Sequence, residues 1–175
     1  MAGDIKVNEY QDYRKLFSDS EWKTLQFSIF WMFNSVAKAD GKIDKKEMDA
    51  LNHLIENSSA IINDLAWNVI STIKKDFVNI KSEFDKDKRE IIDGMREVSD
   101  LLNNRVNTKT TIEFKKTLIG IGFYIANASG NWIGSKVSAA EGIAIKLAGM
   151  NLRLSAAQLE EVPTIDEIFS SFDEK

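Results

Sequence analysis

The sequence feature that most constrains the fold is the stretch from Trp22 to Lys38. Apolar residues recur there at three- and four-residue steps, and aromatic side chains cover much of the remaining helical circumference. A helix that is apolar on most sides has to be surrounded by other elements, so we place this one at the centre of the domain. Its main apolar face consists of Trp22, Leu25, Ile29, Met32, Phe33 and Val36. Much of the rest of the helix surface is covered by Phe27, Phe30 and Trp31.

Composition fixes the fold class around this helix. One Pro and nine Gly in 175 residues leave few helix breakers, and no alternation of apolar and polar residues persists as it would in strands. The length fits one domain with a substantial core. We therefore predict an all-α single compact domain of about seven to eight helices that spans residues 1–175.

Local patterns predict where several helices begin and end. A capping box at Ser18–Glu21 starts the central helix, and another at Ser138–Glu141 starts a later one. Apolar spacing predicts one helix over Ala60–Ile80, with Ile62 among its inward residues, and another over Asp85–Asn104 with a solvated charged face. The helix that begins near Thr108 contains two glycines, which favours close approach to the central helix.

Charge and residue usage exclude several classes of function. The net charge of −4, with both signs mixed along the chain, argues against nucleic-acid binding. The absence of cysteine excludes disulfides and thiolate chemistry, and the only histidine, His53, lies off the apolar stripe of its helix. The longest apolar run, Leu118–Ala128, reaches roughly half of the ~20 residues that a membrane span needs. We predict a cytoplasmic protein without a membrane span and without enzymatic activity.

An acidic turn after the central helix carries the strongest chemical signal. Asp40, Gly41 and Glu47 match positions five, six and twelve of a calcium loop. The first half of the loop does not match, because Val36 and Lys38 stand at positions one and three, so an ordinary EF-hand is excluded.

The turn has two interpretations, which the residues alone leave open. In one, Asp40, Asp44 and Glu47 gather a divalent cation, calcium or magnesium, with help from backbone oxygens and water. In the other, Asp44 is the N-cap and Glu47 the N3 residue of a capping box, worth about 1 kcal/mol with no ion present. Gly41 suits a left-handed residue in a tight turn under either interpretation.

A weaker copy of the turn returns about ninety residues later. The pattern A-x-A-D-G, then I-D-x-x-E, at 37–47 becomes A-x-A-S-G, then V-S-x-x-E, at 126–141. Ser129 and Ser138 replace the acids in the second copy, and the loop between the two parts is longer. The spacing predicts duplication of a helical half-domain, with repeat-like segments at about 20–80 and 109–160, because solenoid repeats are shorter, at ~20–50 residues.

These paired motifs resemble those of the TerB-like family of tellurite-resistance proteins over about residues 20–160. The resemblance implies an all-helical, internally duplicated module of bacterial stress systems for tellurite, phage and colicin resistance. It implies a non-enzymatic function through protein partners and a cation site formed by Asp40, Asp44 and Glu47, with Glu141 from the second copy. The alternative is a purely structural or adaptor helical domain without a metal site.

The C-terminal residues predict one more amphipathic element. Thr164–Glu167 forms a further helix start, and Pro163 separates it from the short helix before it. We expect this tail to dock on its own domain. Its apolar residues are Ile165, Ile168, Phe169 and Phe172.

Overall fold

Eight α-helices and two short 3-10 turns form the part of the chain that the computed structural model describes, residues 12–39, 41, 43–128 and 139–161. These ranges contain no strand, and none of their helices is long and apolar enough to cross a membrane. The prediction of an all-α single compact domain is confirmed. The helices are α1 (Asp19–Ala37), α2 (Lys45–Glu56), α3 (Asp64–Lys75), α4 (Phe77–Lys86), α5 (Ile91–Arg105), α6 (Thr108–Ala128), α7 (Ala139–Asn151) and α8 (Ala156–Glu160), and the 3-10 turns are Tyr13–Leu16 and Ser58–Ala60.

Helix α1 is the central helix, as its sequence predicts. It begins at the expected capping box, in which the Glu21 amide donates to Ser18 Oγ at 3.2 Å and the Ser18 amide donates to Glu21 Oε1 at 2.8 Å. Leu25 and Ile29 are completely buried. Helices α3, α4, α5, α6 and α7 all pack against α1, which therefore forms the axis of the core.

The single helix predicted over Ala60–Ile80 is wrong, because the chain breaks at Asp76. Its backbone leaves the helical region there, with φ −141° and ψ 38°, and α3 and α4 lie on either side. The break directs α4 onto α1, where the Phe84 ring lies 5.1 Å from that of Phe30 between centroids. Because α3 starts only at Asp64, Ile62 precedes it and is 51% exposed rather than inward.

The helix predicted from Asp85 likewise divides, because α4 ends at Lys86 and α5 begins at Ile91. The Arg89 guanidinium holds the connection in place: its Nε donates to Asp87 Oδ1 at 3.1 Å and its Nη2 to Asp87 Oδ2 at 2.9 Å. The same group lies over the Trp31 ring, 5.0 Å from the ring centroid. The charged run that was predicted to be solvated thus contains an arginine packed on the central helix.

Close packing of α6 on α1 is confirmed at one of the two predicted glycines. A Cβ atom added at Gly122 would lie 2.9 Å from Met32 Sδ, which is too close for any other residue without movement. A Cβ at Gly94 of α5 would lie 2.6 Å from the Trp31 ring. Helices α5 and α6 therefore make their close contacts with α1 at glycines, Gly94 and Gly122.

Candidate functional site

The acidic turn begins with a left-handed glycine and leads to the predicted helix cap. Gly41 has φ +93°, and its amide donates to the Lys38 carbonyl oxygen at 2.9 Å. The Glu47 amide donates to Asp44 Oδ1 at 2.8 Å, while the Asp44 amide donates to Glu47 Oε2 at 3.0 Å. The capping-box interpretation is thus confirmed as geometry: Asp44 Oδ1 and Glu47 Oε2 both accept from the backbone at the start of α2.

The structure brings Glu47 and Glu141 together. Each is the third residue of its helix, α2 or α7, and each is only 3% exposed. Their carboxyl groups interact although the residues are far apart in sequence. Of the four predicted metal ligands, these two therefore form a buried pair, and Asp44 lies beside them in the cap. Asp40 lies outside the described residues, as does Ser138, the cap predicted for α7.

Burial and like charge act in the same direction on this pair. Burial is the largest influence and raises the pKa of Glu47 to about 7, with the negative charges of Asp44 and Glu141 adding to the increase. The hydrogen bond from the Asp44 amide opposes the shift without cancelling it. Two carboxylates in contact cannot both stay ionised at low cost, so their proximity favours a shared proton or a positive charge in its place.

The donor chemistry of the pair fits a hard divalent cation. Calcium and magnesium take oxygen ligands, and Glu47 and Glu141 present only carboxylate oxygens. Among residues 12–39, 41, 43–128 and 139–161, no group of three or more His, Cys, Asp or Glu side chains is arranged to hold a metal. Two carboxylates suit magnesium, which keeps several waters, better than calcium with its roughly six to eight oxygens.

Neither the histidine His53 nor an open groove beside α6 gathers catalytic groups. His53 is exposed on α2, and its Nδ1 lies 3.3 Å from Asn57 Nδ2. An open groove of about 330 Å³ borders α6 and the start of α3. In its wall Lys116 Nζ donates to Glu161 Oε2 at 2.7 Å, so these opposite charges satisfy each other.

Sequence reasoning missed the outward face of α7. Three large aliphatic side chains, Ile143, Leu147 and Met150, are each more than half exposed there. The signal was present in the sequence, because Ala139–Asn151 is apolar on every side apart from Lys146 and the first turn. A helix with this composition needs cover on both faces.

No protein-family model, no curated protein and no solved structure matches this chain. The assignment of its function therefore depends on the motifs and the site geometry described above.

Proposed function

We propose that this chain is a non-enzymatic, TerB-like helical module of a bacterial stress system of the tellurite-resistance type, acting in the cytoplasm through protein partners and a divalent cation. The observation that carries the proposal is the buried contact between Glu47 and Glu141. These are the acidic residues that end the two copies of the motif behind the resemblance. Their contact means that the two copies of the motif contribute to one site.

The arrangement of helices supports an internal duplication. In each proposed half, a long apolar helix (α1 or α6) is followed by a shorter one (α2 or α7) that begins two residues before its glutamate. The long helices pack on each other, α1 also packs on α7, and α6 also packs on α2. This reciprocal packing is what a duplicated half-domain folded onto its copy would produce, with Glu47 and Glu141 at equivalent positions.

The cation would act on the electrostatics of the pair. Glu47 and Glu141 would supply its carboxylate ligands, and its charge would take the place of the shared proton. Because the glutamates belong to α2 and α7, binding would link the first half of the domain to the second. Such a link gives the module a means to change its stability, and the surface it offers to a partner, with cation concentration.

A second candidate is a structural or adaptor domain without a metal site. The capping box at Asp44 and Glu47 favours it, since each of these side chains accepts a hydrogen bond from the other residue's amide without an ion. In this case the Glu47–Glu141 pair keeps its proton, and partner binding is independent of cations.

Thermal unfolding with and without added cations separates the two candidates. After treatment with a chelator, the protein is heated at pH 7.5 with magnesium, manganese, calcium or zinc. A cation at 100 times its Kd should add about 2.7 kcal/mol to the free energy of unfolding. The variant Glu141→Gln should lose this gain. Asp40→Asn shows whether Asp40 also contributes, because a third ligand would weaken the response without abolishing it.

The matched control is Glu21→Gln. Glu21 is also the N3 glutamate of a capping box, on α1, but its partner is Arg105, whose Nη2 donates to Glu21 Oε2 at 2.9 Å. This variant should keep the full response to cations. If no ion at millimolar concentration raises the unfolding temperature, the cation part of the proposal is wrong and the adaptor candidate stands. The stress-system part is tested separately by deleting the gene, which should increase sensitivity to tellurite.

A further inference from the structure

The open groove beside α6 is longer than its main cavity. That cavity, of about 330 Å³, lies between α6 and the residues that lead into α3. A smaller hollow of about 190 Å³ lies against the connection between α5 and α6. Tyr13 and Thr110 border both of them, so the two form one elongated surface, which we call the α6 groove.

Apolar side chains line both parts of the α6 groove. In the larger part, Ile61 and Leu65 are buried, whereas Ile62 is 51% exposed because α3 begins only at Asp64. In the smaller part, Leu16 is 37% exposed. Exposed aliphatic surface of this kind gains free energy when a partner covers it. The groove therefore offers one aliphatic anchor point in each part.

The charged side chains of the larger part are mostly acidic. Asp64, Glu113 and Glu161 line it together with one lysine, Lys116. Lys116 Nζ donates to Glu161 Oε2 at 2.7 Å, so these two charges compensate each other. Glu113 Oε1 lies 4.0 Å from the ammonium of Lys109, whose side chain is 85% exposed, and Asp64 forms no ion pair within the described ranges. The larger part thus has a net negative charge.

The smaller part differs in charge from the larger one. Arg105 lines it, but the Nη2 of this arginine donates to Glu21 Oε2 at 2.9 Å, so its charge is compensated. Leu16 and Val106 beside it are apolar. A partner that fits the whole groove therefore needs its positive charge near α3 and an apolar side chain near the connection between α5 and α6.

These features specify the chemistry of the occupant. Carboxylates repel the phosphates of nucleic acids and anionic lipids and attract lysine and arginine. An elongated open groove suits a peptide segment, which presents different side chains along its length. The occupant is not taken from residues 162–175, whose docking on the domain stays a prediction because they lie outside the described part of the structure.

We propose that the α6 groove binds a basic, apolar segment of a partner protein. Apolar side chains of the segment cover Ile62 and Leu16, and a lysine or arginine lies beside Asp64 and Glu113. The proposal rests on the part of the proposed function that assigns protein partners, and it is independent of the cation.

Selection from a random twelve-residue peptide library displayed on phage tests the chemistry and the place of binding. The full chain is the target, in buffer with a chelator, and the recovered peptides should be enriched in lysine and arginine next to large apolar residues. Their affinity, measured by fluorescence anisotropy, should fall roughly tenfold in Ile62→Asp and roughly threefold in Asp64→Lys. The matched controls are Val78→Asp on α4 and Asp93→Lys on α5, which change exposed residues elsewhere and should leave the affinity unchanged.

Several outcomes would overturn the proposal. These are the recovery of no peptide, the recovery of acidic or uncharged peptides, and unchanged affinity in both groove variants when circular dichroism shows that they are folded. Loss of affinity in Leu147→Glu instead would place the partner surface on the outward face of α7. Because the chelator removes cations, failure of the cation site leaves this result unaffected, so the two failures can be told apart.

Discussion

The cluster around Arg89 and the pair formed by Glu47 and Glu141 both place ionisable groups against the core, yet they balance charge in opposite ways. Arg89 donates to Asp87 and also, through Nη1, to Glu97 Oε2 at 2.7 Å. Glu47 instead meets a second carboxyl group and lies beside a third acid, Asp44. The first cluster pairs opposite charges, whereas the second brings like charges together, which favours a proton or a cation on the pair.

The burial of ionisable side chains has different effects in the two clusters. Around Arg89, opposite charges and the Trp31 ring fix the connection between α4 and α5 on the central helix. At Glu47 the same loss of water raises the pKa to about 7, so the ionisation state depends on conditions near neutrality. A buried charge paired with an opposite charge supports the fold, and a buried pair of like charges is a candidate for ligand binding.

The largest predicted difference between the clusters is their response to pH in cation-free buffer. The raised pKa of Glu47 favours its neutral form in the folded state, so its stabilising contribution is complete below pH 4.5 and is lost as pH rises through about 7. The loss is on the order of 3 kcal/mol. Hydrogen bonds from Arg89 lower the pKa of Asp87, whose contribution is instead lost below pH 3.8.

Urea unfolding between pH 5 and 8 in the presence of a chelator measures the first of these effects. The natural chain should become less stable as pH rises, and Glu47→Gln should remove most of that dependence. Stability that stays constant or increases over this range would show that the glutamate pair does not share a proton.

The next largest effect is expected from Arg89→Met, which keeps an unbranched apolar stem and removes the charge. Asp87 and Glu97 then face each other without a cation, and we expect a loss of about 2 kcal/mol at pH 7. The control is Lys81→Met, which breaks the more exposed pair with Asp85 and should cost under about 0.5 kcal/mol. Chemical denaturation measures both, and similar values would mean that the Arg89 cluster behaves as a surface ion pair.

A smaller effect of the opposite sign is expected from Glu141→Gln. Removing one of two like charges while keeping hydrogen-bonding capacity should stabilise the cation-free protein by about 1 kcal/mol at pH 8. The equivalent change Glu21→Gln should destabilise it, because the pKa of Glu21 is lowered by the Ser18 amide and by Arg105. Destabilisation by both changes would contradict the contrast between the two N3 glutamates.

The smallest effect on stability is predicted for Asp44→Asn, which keeps the N-cap hydrogen bond and removes the negative charge. Asparagine is as good an N-cap as aspartate, so Asp44→Asn should change stability by less than about 0.5 kcal/mol. Because the charge of Asp44 contributes to the raised pKa of Glu47, the substitution should lower that pKa. NMR titration of the Glu47 carboxyl carbon measures the shift, and an unchanged midpoint would show that Asp44 does not influence the pair.

Sequence predicted the local features and missed those that depend on tertiary packing. The capping boxes at Ser18 and Asp44 follow from residues three positions apart, so sequence is sufficient to find them. The break at Asp76 is different, because apolar residues continue at helical spacing from Ile73 to Ile80. The two helices that the break creates both pack on α1, α4 through the contact of Phe84 with Phe30. Packing overrode the local pattern there.

The candidate site was predicted in part for the same reason. Glu47 followed from its local motif, and Glu141 was named only because the motif repeats. Their contact could not be derived from spacing, since it depends on how α2 and α7 are brought together by α1 and α6. The environment of Arg89 was equally hidden, because an alternating charged run gives no sign that one member will lie over a tryptophan.

The central position of α1 has a consequence for how the chain is made. α1 lies near the start of the chain, but α6, one of the helices that covers it, is complete only roughly ninety residues later. At about 5–20 residues per second, the ribosome takes about 5–18 seconds to supply that cover. During this interval the apolar surface of α1 has no native partner from the second half of the domain, so α1 is a segment that a chaperone would have to protect.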